Sequence, residues 1–289
     1  FFLYFMMRAM GEMLLHDLRY KSFQDFSRVM IGPWAGLFAG WTYWILWVVT
    51  AAAEMIAIIG YFDFWIGNLN ISMLCTAVLL LALLGSNLLT VKLFGELEFW
   101  FALIKIIAII ALILVGAWMV VTRFVSPDGT AASVTYLWSR GGVFPTGLSG
   151  FLAAFQLAVF SFIGTELIGT TAAETADPRT TLPKAIDAIP VRIIVFYVLA
   201  LAAIMSVTPW DEVNPEVSPF VNVFNLVGLV AAASVMNFVV LTSASSSSNS
   251  GIFSTSRMLY GLARQEQAPG VFARLSKHHV PLNALFLSC

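Results

Sequence analysis

Long runs of apolar residues are the feature that most restricts how this chain can fold. Residues 99–121, for example, contain a single ionisable side chain, that of Lys105. A helix of about 20 apolar residues is long enough to cross the hydrocarbon core of a bilayer. Comparable runs recur along the sequence, and in lipid a helix satisfies all of its own backbone hydrogen bonds. The sequence therefore predicts an all-α integral membrane protein.

Composition supports the bilayer as the main partner of this chain. Apolar residues make up 60% of it and charged residues only 11%, whereas soluble domains carry about 25% charged residues. The net charge of −1 gives no basis for binding nucleic acid. Cys75 and Cys289 offer neither a metal-ligand spacing nor a disulfide framework. We therefore expect no metal and no cofactor.

Polar and Gly/Pro-containing segments divide the apolar runs into predicted helices. A connection containing Pro127 and Gly141 separates the first helices from the later ones. Both ends of the sequence fall within apolar runs, so we expect it to be part of a longer chain. The predicted helices cover residues 1–15, 34–64, 71–91, 93–122, 148–173, 185–208 and 219–260, and another begins near 282.

The positions of lysine and arginine predict the orientation. All of them except Lys105, Arg123 and Arg140 fall at helix ends or in loops on one side of the predicted helices. Basic loops stay on the cytoplasmic side of a membrane. The acidic connection at Asp211 and Glu212 then faces outward. We expect a multi-pass protein of the cytoplasmic (inner) membrane.

Ionisable side chains at membrane depth are costly and mark functional sites. Lys105 lies about 18 Å beyond the start of its predicted helix, near the centre of the bilayer. It either extends towards a surface or faces the bundle interior, and the interior is favoured because neither surface is near. Glu54 is either a carboxylate at the outer rim or part of a transport pathway.

Two further segments have both a functional and a structural interpretation. Gly164 and Glu166 interrupt an apolar run, as in transporters whose locally unwound helices expose backbone groups to a substrate. Glycine in a membrane helix also serves close packing. The serine-rich stretch 242–250 either provides polar ligands, through Ser243, Ser247 and Asn249, or packs helices and bonds to its own carbonyls.

Taken together, several motifs along the whole chain resemble one family. They occur in the expected order, which makes them more specific together than any one alone. The chain resembles the amino acid permease branch of the amino acid–polyamine–organocation superfamily. The motifs are Gly32–Pro33–Trp34, Gly40–Trp41–Thr42–Tyr43–Trp44, Phe94–Gly95–Glu96 through Lys105, Phe160 through Glu166, Ala173–Glu174–Thr175, Asp177–Pro178, Leu182–Pro183, and Asn249–Ser250 through Ser256–Arg257.

This resemblance implies the fold. Family members have two inverted five-helix repeats within a protein of twelve helices. Residues 1–289 would form a single transporter domain that covers the end of helix 2 to the start of helix 9. Residues 1–122 would belong to the first repeat and residues 148–289 to the second. The Gly-rich helix 1, which binds much of the substrate in the family, would precede this sequence.

The resemblance also implies roles for individual residues. Phe160 would be an aromatic gate, and Gly164 and Glu166 would form the unwound part of helix 6, with Tyr43 meeting Glu166 near the inner gate. Lys105 would replace the sodium ion of sodium-coupled relatives, which implies proton coupling. Glu54 matches a carboxylate of the aromatic-amino-acid branch.

The substrate expected from this resemblance is a small neutral amino acid, carried together with a proton. Ser161 and Phe162, next to Phe160, indicate a tight pocket. A permease for a larger amino acid, such as an aromatic one, is the alternative. An enzyme is disfavoured because His16, His278 and His279 fall in predicted loops without a catalytic arrangement. A channel is disfavoured because no selectivity loop is repeated.

Overall fold

The structure is a computed structural model that is built from helices and loops. It describes residues 2–17, 20, 22–89, 91–127, 129–142, 144–167, 177–214, 217–228, 230–277 and 280–289. Within these ranges the β structure is limited to an isolated bridge between Val125 and Ala131. The predicted all-α fold class is confirmed.

The chain divides into two compact units, which are described separately. The first consists of Phe1–Ala102, Thr165–Asp187 and Leu241–Cys289, and the second of Leu103–Gly164 and Ala188–Val240. Both units combine segments from the two predicted repeats. The repeat assignment itself stays a prediction.

Several of the helices in the first unit are of membrane-spanning length. Two of them, α5 and α12, continue into the second unit. The helices are α1 Phe2–His16, α2 Phe23–Met30, α3 Pro33–Ile66, α4 Leu69–Leu89, α5 Val91–Val121, α8 Pro178–Asp187, α12 Val230–Arg264 and α13 Leu282–Ser288.

The second unit contains shorter helices and one π-helical segment. Its elements are α6 Tyr136–Ser139, α7 Gly147–Phe160, α9 Ile189–Ile193, the π segment Ile194–Leu199, α10 Ala200–Val207 and α11 Pro219–Leu226. Their buried core includes Leu112, Met119, Ile204, Val207 and Val221.

Four helical runs among the described residues are long and apolar enough to cross a membrane. They are Pro33–Ile66, Leu69–Leu88, Glu98–Val121 and Pro178–Val207. Large apolar side chains such as Val49, Ile56 and Leu81 are exposed on their outer faces, whereas polar side chains such as Asn87 and Asn249 are buried. A soluble protein buries apolar side chains and exposes polar ones, so this distribution fits a lipid surround.

Glycine residues on α3 allow neighbouring helices of the first unit to pack closely against it. A Cβ atom at Gly40 on α3 would lie 2.7 Å from Leu262 Cδ2 on α12, and one at Gly36 would lie 2.6 Å from Arg28 Cβ on α2. Small residues allow membrane helices to pack this closely. The helix α3 also begins at Pro33 and ends at Ile66, followed by the capping residue Gly67, whose φ is 62°. Proline and glycine are expected at these start and stop positions.

Three predicted helices differ from the structure. The predicted helix 148–173 was too long, because α7 ends at Phe160 and residues 161–166 form turns. Residues 168–176 lie outside the described residues. The predicted helix 219–260 is two helices, separated at Gly228, where φ is 75°. The predicted helix 185–208 began too late, because helical structure already starts at Pro178 in α8. The short helix α2 was not predicted.

Two polar loops of the second unit, around Arg140 and around Asp211, contact each other. Arg140 donates hydrogen bonds to Asp211 Oδ2 at 3.0 Å and to Glu212 Oε1 at 2.8 Å. The indole nitrogen of Trp210 donates to the carbonyl oxygen of Arg140 at 3.0 Å. Arg140, Asp211 and Glu212 were all predicted to lie on the outer side. The structure places them together, and the side of the membrane stays a prediction.

Candidate functional site

The helix α7 stops abruptly in the middle of an apolar segment. After Phe160 the chain forms successive turns, in which the amides of Phe162 and Ile163 bond to the carbonyls three residues earlier, at 3.1 Å each. Gly164 has a φ of +101°. Glycine adopts this conformation readily, and a residue with a side chain does so only under strain. The break lies where an unwound helix was predicted.

The broken segment is held in the second unit by Tyr197. The Tyr197 hydroxyl donates a hydrogen bond to the carbonyl oxygen of Ser161 at 2.9 Å, and its ring stacks on Phe162 with centroids 5.2 Å apart. Tyr197 belongs to the π segment Ile194–Leu199. Single turns of π-helix occur frequently at functional sites. The turns after Phe160 and the π segment are therefore held together by this hydrogen bond and ring contact.

Glu166, at the end of the broken segment, belongs to the first unit and contacts α3 there. The indole nitrogen of Trp47 donates a hydrogen bond to Glu166 Oε1 at 3.2 Å. Trp47 is almost completely buried. The sequence predicted that Tyr43 meets Glu166. The structure shows Trp47, one helical turn beyond Tyr43, as a hydrogen-bond donor to this carboxylate.

Trp47 is packed against residues of α12 and of its own helix. Its ring lies against Gly251 on α12, where a Cβ atom would be only 2.7 Å from Trp47 Cε3. On α3 itself, the ring of Tyr43 contacts Trp47 edge to face with centroids 6.4 Å apart. Phe23 on α2 contacts Tyr43 in turn, at 5.2 Å. The orientation of the Trp47 indole is therefore set by packing before it meets Glu166.

The serine-rich stretch forms part of the continuous helix α12. Ser245 donates to the carbonyl of Leu241 at 2.7 Å, so the expected bonding of serine to its own helix occurs at this residue. Ser243 and Ser247 are half-buried and lie four residues apart, on one face of the helix. They stay predicted ligands.

Asn249 takes part in a different interaction from the predicted one. Its Nδ2 donates to Glu98 Oε1 at 3.3 Å, and its Oδ1 accepts a hydrogen bond from Asn87 Nδ2 at 2.7 Å. The side chain is fully buried. Its amide is thus engaged on both sides by other helices.

Lys105 and Glu54 lie on the two longest spans of the first half of the chain. Lys105 is near the middle of the 31-residue helix α5 and is half-buried. Glu54 is half-buried on α3, eleven residues beyond Tyr43. Their predicted roles in proton coupling stay predictions.

The predicted residues fall into two groups. Tyr43, Glu54, Glu166 and the serine-rich residues of α12 belong to the first unit. The second unit contains Lys105, Phe160, Ser161, Phe162 and Gly164. Phe160 and Ser161 are exposed, and the Ser161 hydroxyl donates to the carbonyl of Leu157 at 2.9 Å.

Sequence reasoning missed four residues that the structure connects to the candidate site, namely Trp47, Glu98, Asn87 and Tyr197. Trp47 follows Tyr43 by one turn, so helical spacing was an available signal. Asn87 is a lone amide near the end of the apolar run of α4. Glu98 belongs to a motif used only for recognising the family. Tyr197 carried no signal, because a π segment has no known sequence pattern.

A metal role finds no support in the part of the chain that the structure describes. Among those residues no group of three or more His, Cys, Asp or Glu side chains is placed to hold a metal ion.

Comparison with known proteins decides the family. The amino acid permease family matches residues 1–289. The chain belongs to the amino acid permease family. Among curated permeases, the D-serine/D-alanine/glycine transporter of Escherichia coli (strain K12) is 62% identical over all of this chain and 61% of its own length.

Other permeases are similar at lower identity. The amino-acid permease AapA of Bacillus subtilis (strain 168) is 51% identical over 99% of this chain and 62% of its own length. The aromatic amino acid transport protein AroP of Escherichia coli O6:H1 is 41% identical over the whole chain and 62% of its own length. The chain thus spans about three fifths of the permeases that it matches.

Proposed function

We propose that this chain is part of a secondary active transporter that imports a small neutral amino acid, of the glycine, D-alanine and D-serine type. Import proceeds by symport with a proton and by alternating access, in the cytoplasmic membrane. Residues 1–122 and 148–289 belong to its two inverted repeats. The substrates are those named for the 62% identical relative.

The single observation that supports a carrier most directly is the break after Phe160. In transporters with broken membrane helices, the backbone N–H and C=O groups at the break are where the substrate binds. A zwitterionic amino acid has a carboxylate that binds N–H groups and an ammonium that binds carbonyls. Gly164, with its φ of +101°, has no side chain, so a ligand can approach the backbone closely at this position.

In this proposal Glu166 and Tyr43 form the gate at one end of the broken segment, and Phe160 covers the other. Trp47 holds the Glu166 carboxylate in place through its hydrogen bond. Ser161 and Phe162 are proposed substrate-binding residues of the second unit, and Ser243 and Ser247 are proposed polar ligands on α12. Asn249 is the third proposed ligand on α12, and its amide also bonds to Glu98 and Asn87.

Proton coupling is assigned to Lys105, with Glu54 as the second candidate. A lysine in the middle of a membrane helix exchanges a proton when its surroundings change, because its ammonium is a compact charge that is sensitive to desolvation. The central position of Lys105 on α5 supports this role.

An aromatic amino acid is the alternative substrate, since the aromatic transport protein is 41% identical over the same residues and Glu54 resembles that branch. The higher identity of the D-serine/D-alanine/glycine transporter favours the small substrate. A membrane enzyme or a channel has no comparable observation in its favour.

The test is counterflow in proteoliposomes that contain the full-length protein. Vesicles loaded with unlabelled glycine should accumulate external radiolabelled glycine transiently, because a carrier exchanges substrate across the membrane. Vesicles loaded with phenylalanine give the comparison for the aromatic alternative. Absence of counterflow with any neutral amino acid, in protein shown to be folded, would refute the proposed function.

A further inference from the structure

The half-buried carboxylate of Glu98 belongs to a hydrogen-bond network that joins three helices of the first unit. Glu98 Oε2 accepts a hydrogen bond from Ser246 Oγ at 2.7 Å, and Oε1 accepts one from Asn249 Nδ2 at 3.3 Å. Asn249 Oδ1 in turn accepts from Asn87 Nδ2 at 2.7 Å. The network therefore connects α4, α5 and α12. Ser246 is 1% exposed and Asn249 is 0% exposed.

The hydrogen bonds of this network have a fixed direction. A carboxylate only accepts hydrogen bonds, whereas an amide side chain donates from nitrogen and accepts at oxygen. Asn87 donates to Asn249, and Asn249 donates to Glu98. The amide plane of Asn249 is consequently held in one orientation. Because Asn249 and Ser246 lie three residues apart, one face of α12 is fixed against α5.

Another side of α12 contacts the residue that bonds to the broken segment, because residues two apart in a helix point in nearly opposite directions. Gly251 lies two residues after Asn249, and its Cα closely approaches the ring of Trp47. Trp47 donates its indole hydrogen bond to Glu166. A rotation of α12 at Asn249 would move Gly251 against Trp47 and so displace the donor to Glu166. All of these contacts lie within the first unit.

We propose that Glu98 is a positioning residue, which sets the rotation of α12 and, through Gly251 and Trp47, the position of the Glu166 carboxylate. This inference rests on the proposed function, because transport is its readout. For helix packing alone an apolar side chain of similar size would serve as well, since buried charges seldom add net stability. A positioning role instead needs the hydrogen bonds.

An exchange of the acid and the amide tests this directly. In Asn249→Asp, two carboxylates face each other, and the pair loses the hydrogen bond between them. In the double variant Glu98→Gln, Asn249→Asp, the amide of residue 98 donates to the carboxylate of residue 249, which also accepts from Asn87. Ser246 then donates to the amide oxygen of residue 98. The double variant thus restores the hydrogen bonds among residues 87, 98, 246 and 249. The negative charge is then on residue 249 instead of residue 98.

The measurement is the apparent KM for glycine in counterflow, normalised to the monodisperse protein recovered. We expect Asn249→Asp to raise the KM at least about tenfold, as the loss of a charge-assisted hydrogen bond predicts. The double variant should return to within about threefold of wild type. Glu98→Leu should raise the KM while leaving the yield of folded protein unchanged. The control is Glu96→Gln, because Glu96 is exposed on the same helix, and its KM should not change.

A double-mutant cycle tests whether Glu98 acts through Trp47. In a Trp47→Phe background the indole donor to Glu166 is absent, so Glu98→Leu should have a smaller effect on the KM than in wild type. Fully additive effects would contradict the route through Trp47.

Three results would overturn the inference. They are a wild-type KM in Glu98→Leu, failure of the exchange to rescue folded Asn249→Asp, and a loss confined to protein yield. The proposed function fails in a different way, because wild-type protein would then show no counterflow at all.

Discussion

Gly164 carries the backbone conformation on which the broken helix depends. Its φ of +101° is accessible to glycine and strained for residues with a Cβ atom. Substitution therefore acts on the backbone itself, whatever space surrounds the new side chain.

We expect Gly164→Leu to abolish amino acid uptake while the protein remains inserted and folded. The leucine side chain would both strain the turn and cover the backbone groups proposed to bind substrate. Uptake by cells and the yield of monodisperse protein measure the two effects separately. The matched control is Gly60→Leu, because no atom lies within 4 Å of a Cβ at Gly60. Normal uptake by Gly164→Leu would assign this glycine to packing.

Lys105 provides the second prediction at this scale. Lys105→Arg keeps a positive charge at the middle of α5, but guanidinium stays protonated throughout the transport cycle. We expect this variant to lose accumulation driven by an imposed pH gradient, and downhill exchange to survive in part. Accumulation in proteoliposomes with and without the gradient is the measurement. Lys277→Arg, in an exposed loop, is the control. Wild-type accumulation by Lys105→Arg would make Lys105 a structural cation.

The sequence was most informative at residues whose side chains differ from the apolar residues around them. Gly164 and Glu166 interrupt an apolar run, and the helix indeed breaks there. Asn249 was also singled out, but its partners were not predictable, because Asn87 and Glu98 are distant in sequence. Trp47 was overlooked because a tryptophan among apolar residues is not unusual.

At the scale of helices, the contact between α12 and α3 at Gly251 leads to a third prediction. Gly251→Ala would place a Cβ atom 2.7 Å from Trp47 Cε3, and the indole is held in place by Glu166. We expect a destabilisation of about 1–3 kcal/mol from overpacking, together with reduced transport. Thermal unfolding in detergent measures the first effect.

The control for this prediction is Gly261→Ala on the same helix, since no atom lies within 4 Å of a Cβ at Gly261. It should be neutral or slightly stabilising, because alanine has a higher helix propensity than glycine. Equal stabilities of the two variants would show that α12 and Trp47 accommodate a Cβ atom at Gly251 without overpacking.

The loops give a fourth prediction, which concerns the sides of the membrane. A cysteine at Asn214, in an exposed loop, should react with an impermeant thiol reagent applied to intact cells. A cysteine at Lys277 should react only after permeabilisation. Both are made in a background without Cys75 and Cys289. Reversed labelling would overturn the orientation predicted from lysine and arginine positions.

Helix ends were harder to predict than helices. The start of α3 at Pro33 and its end before Gly67 follow known signals, and the prediction of 34–64 was close. The division of 219–260 at Gly228 was missed, because a glycine within an apolar run marks either a break or close packing. Tertiary contacts decide between the two, and a single sequence does not contain them.

For the whole molecule, the substrate preference gives a fifth prediction. Unlabelled glycine, D-alanine and D-serine should each compete with radiolabelled glycine, and phenylalanine should compete weakly. The physical reason is that the proposed pocket is bordered by Phe160 and Phe162, whose rings would leave little room for a third ring. Competition curves at equal concentrations provide the measurement. Strong competition by phenylalanine alone would favour the aromatic alternative.

The class of the protein was the most predictable property at this scale. Membrane residence follows from composition and run length, because the energetic requirement of a bilayer applies to every residue of a span. The polar contacts between helices, in which Asn249 bonds to both Asn87 and Glu98, were not predictable in detail. Its hydrogen bonds depend on helix rotations that an apolar pattern leaves undetermined.

The π segment Ile194–Leu199 has a consequence for chain length. A π turn accommodates one residue more than an α turn, so this part of the helix behaves as a single-residue insertion that the fold has retained. Deleting one residue just before Tyr197 would allow a regular α-helix to form, and a one-residue shift corresponds to about 100° of rotation in a helix of 3.6 residues per turn. Either the tyrosine or the helix beyond it would then face a new direction. The hydroxyl that reaches Ser161 thus depends on the number of residues in the helix as much as on their identity.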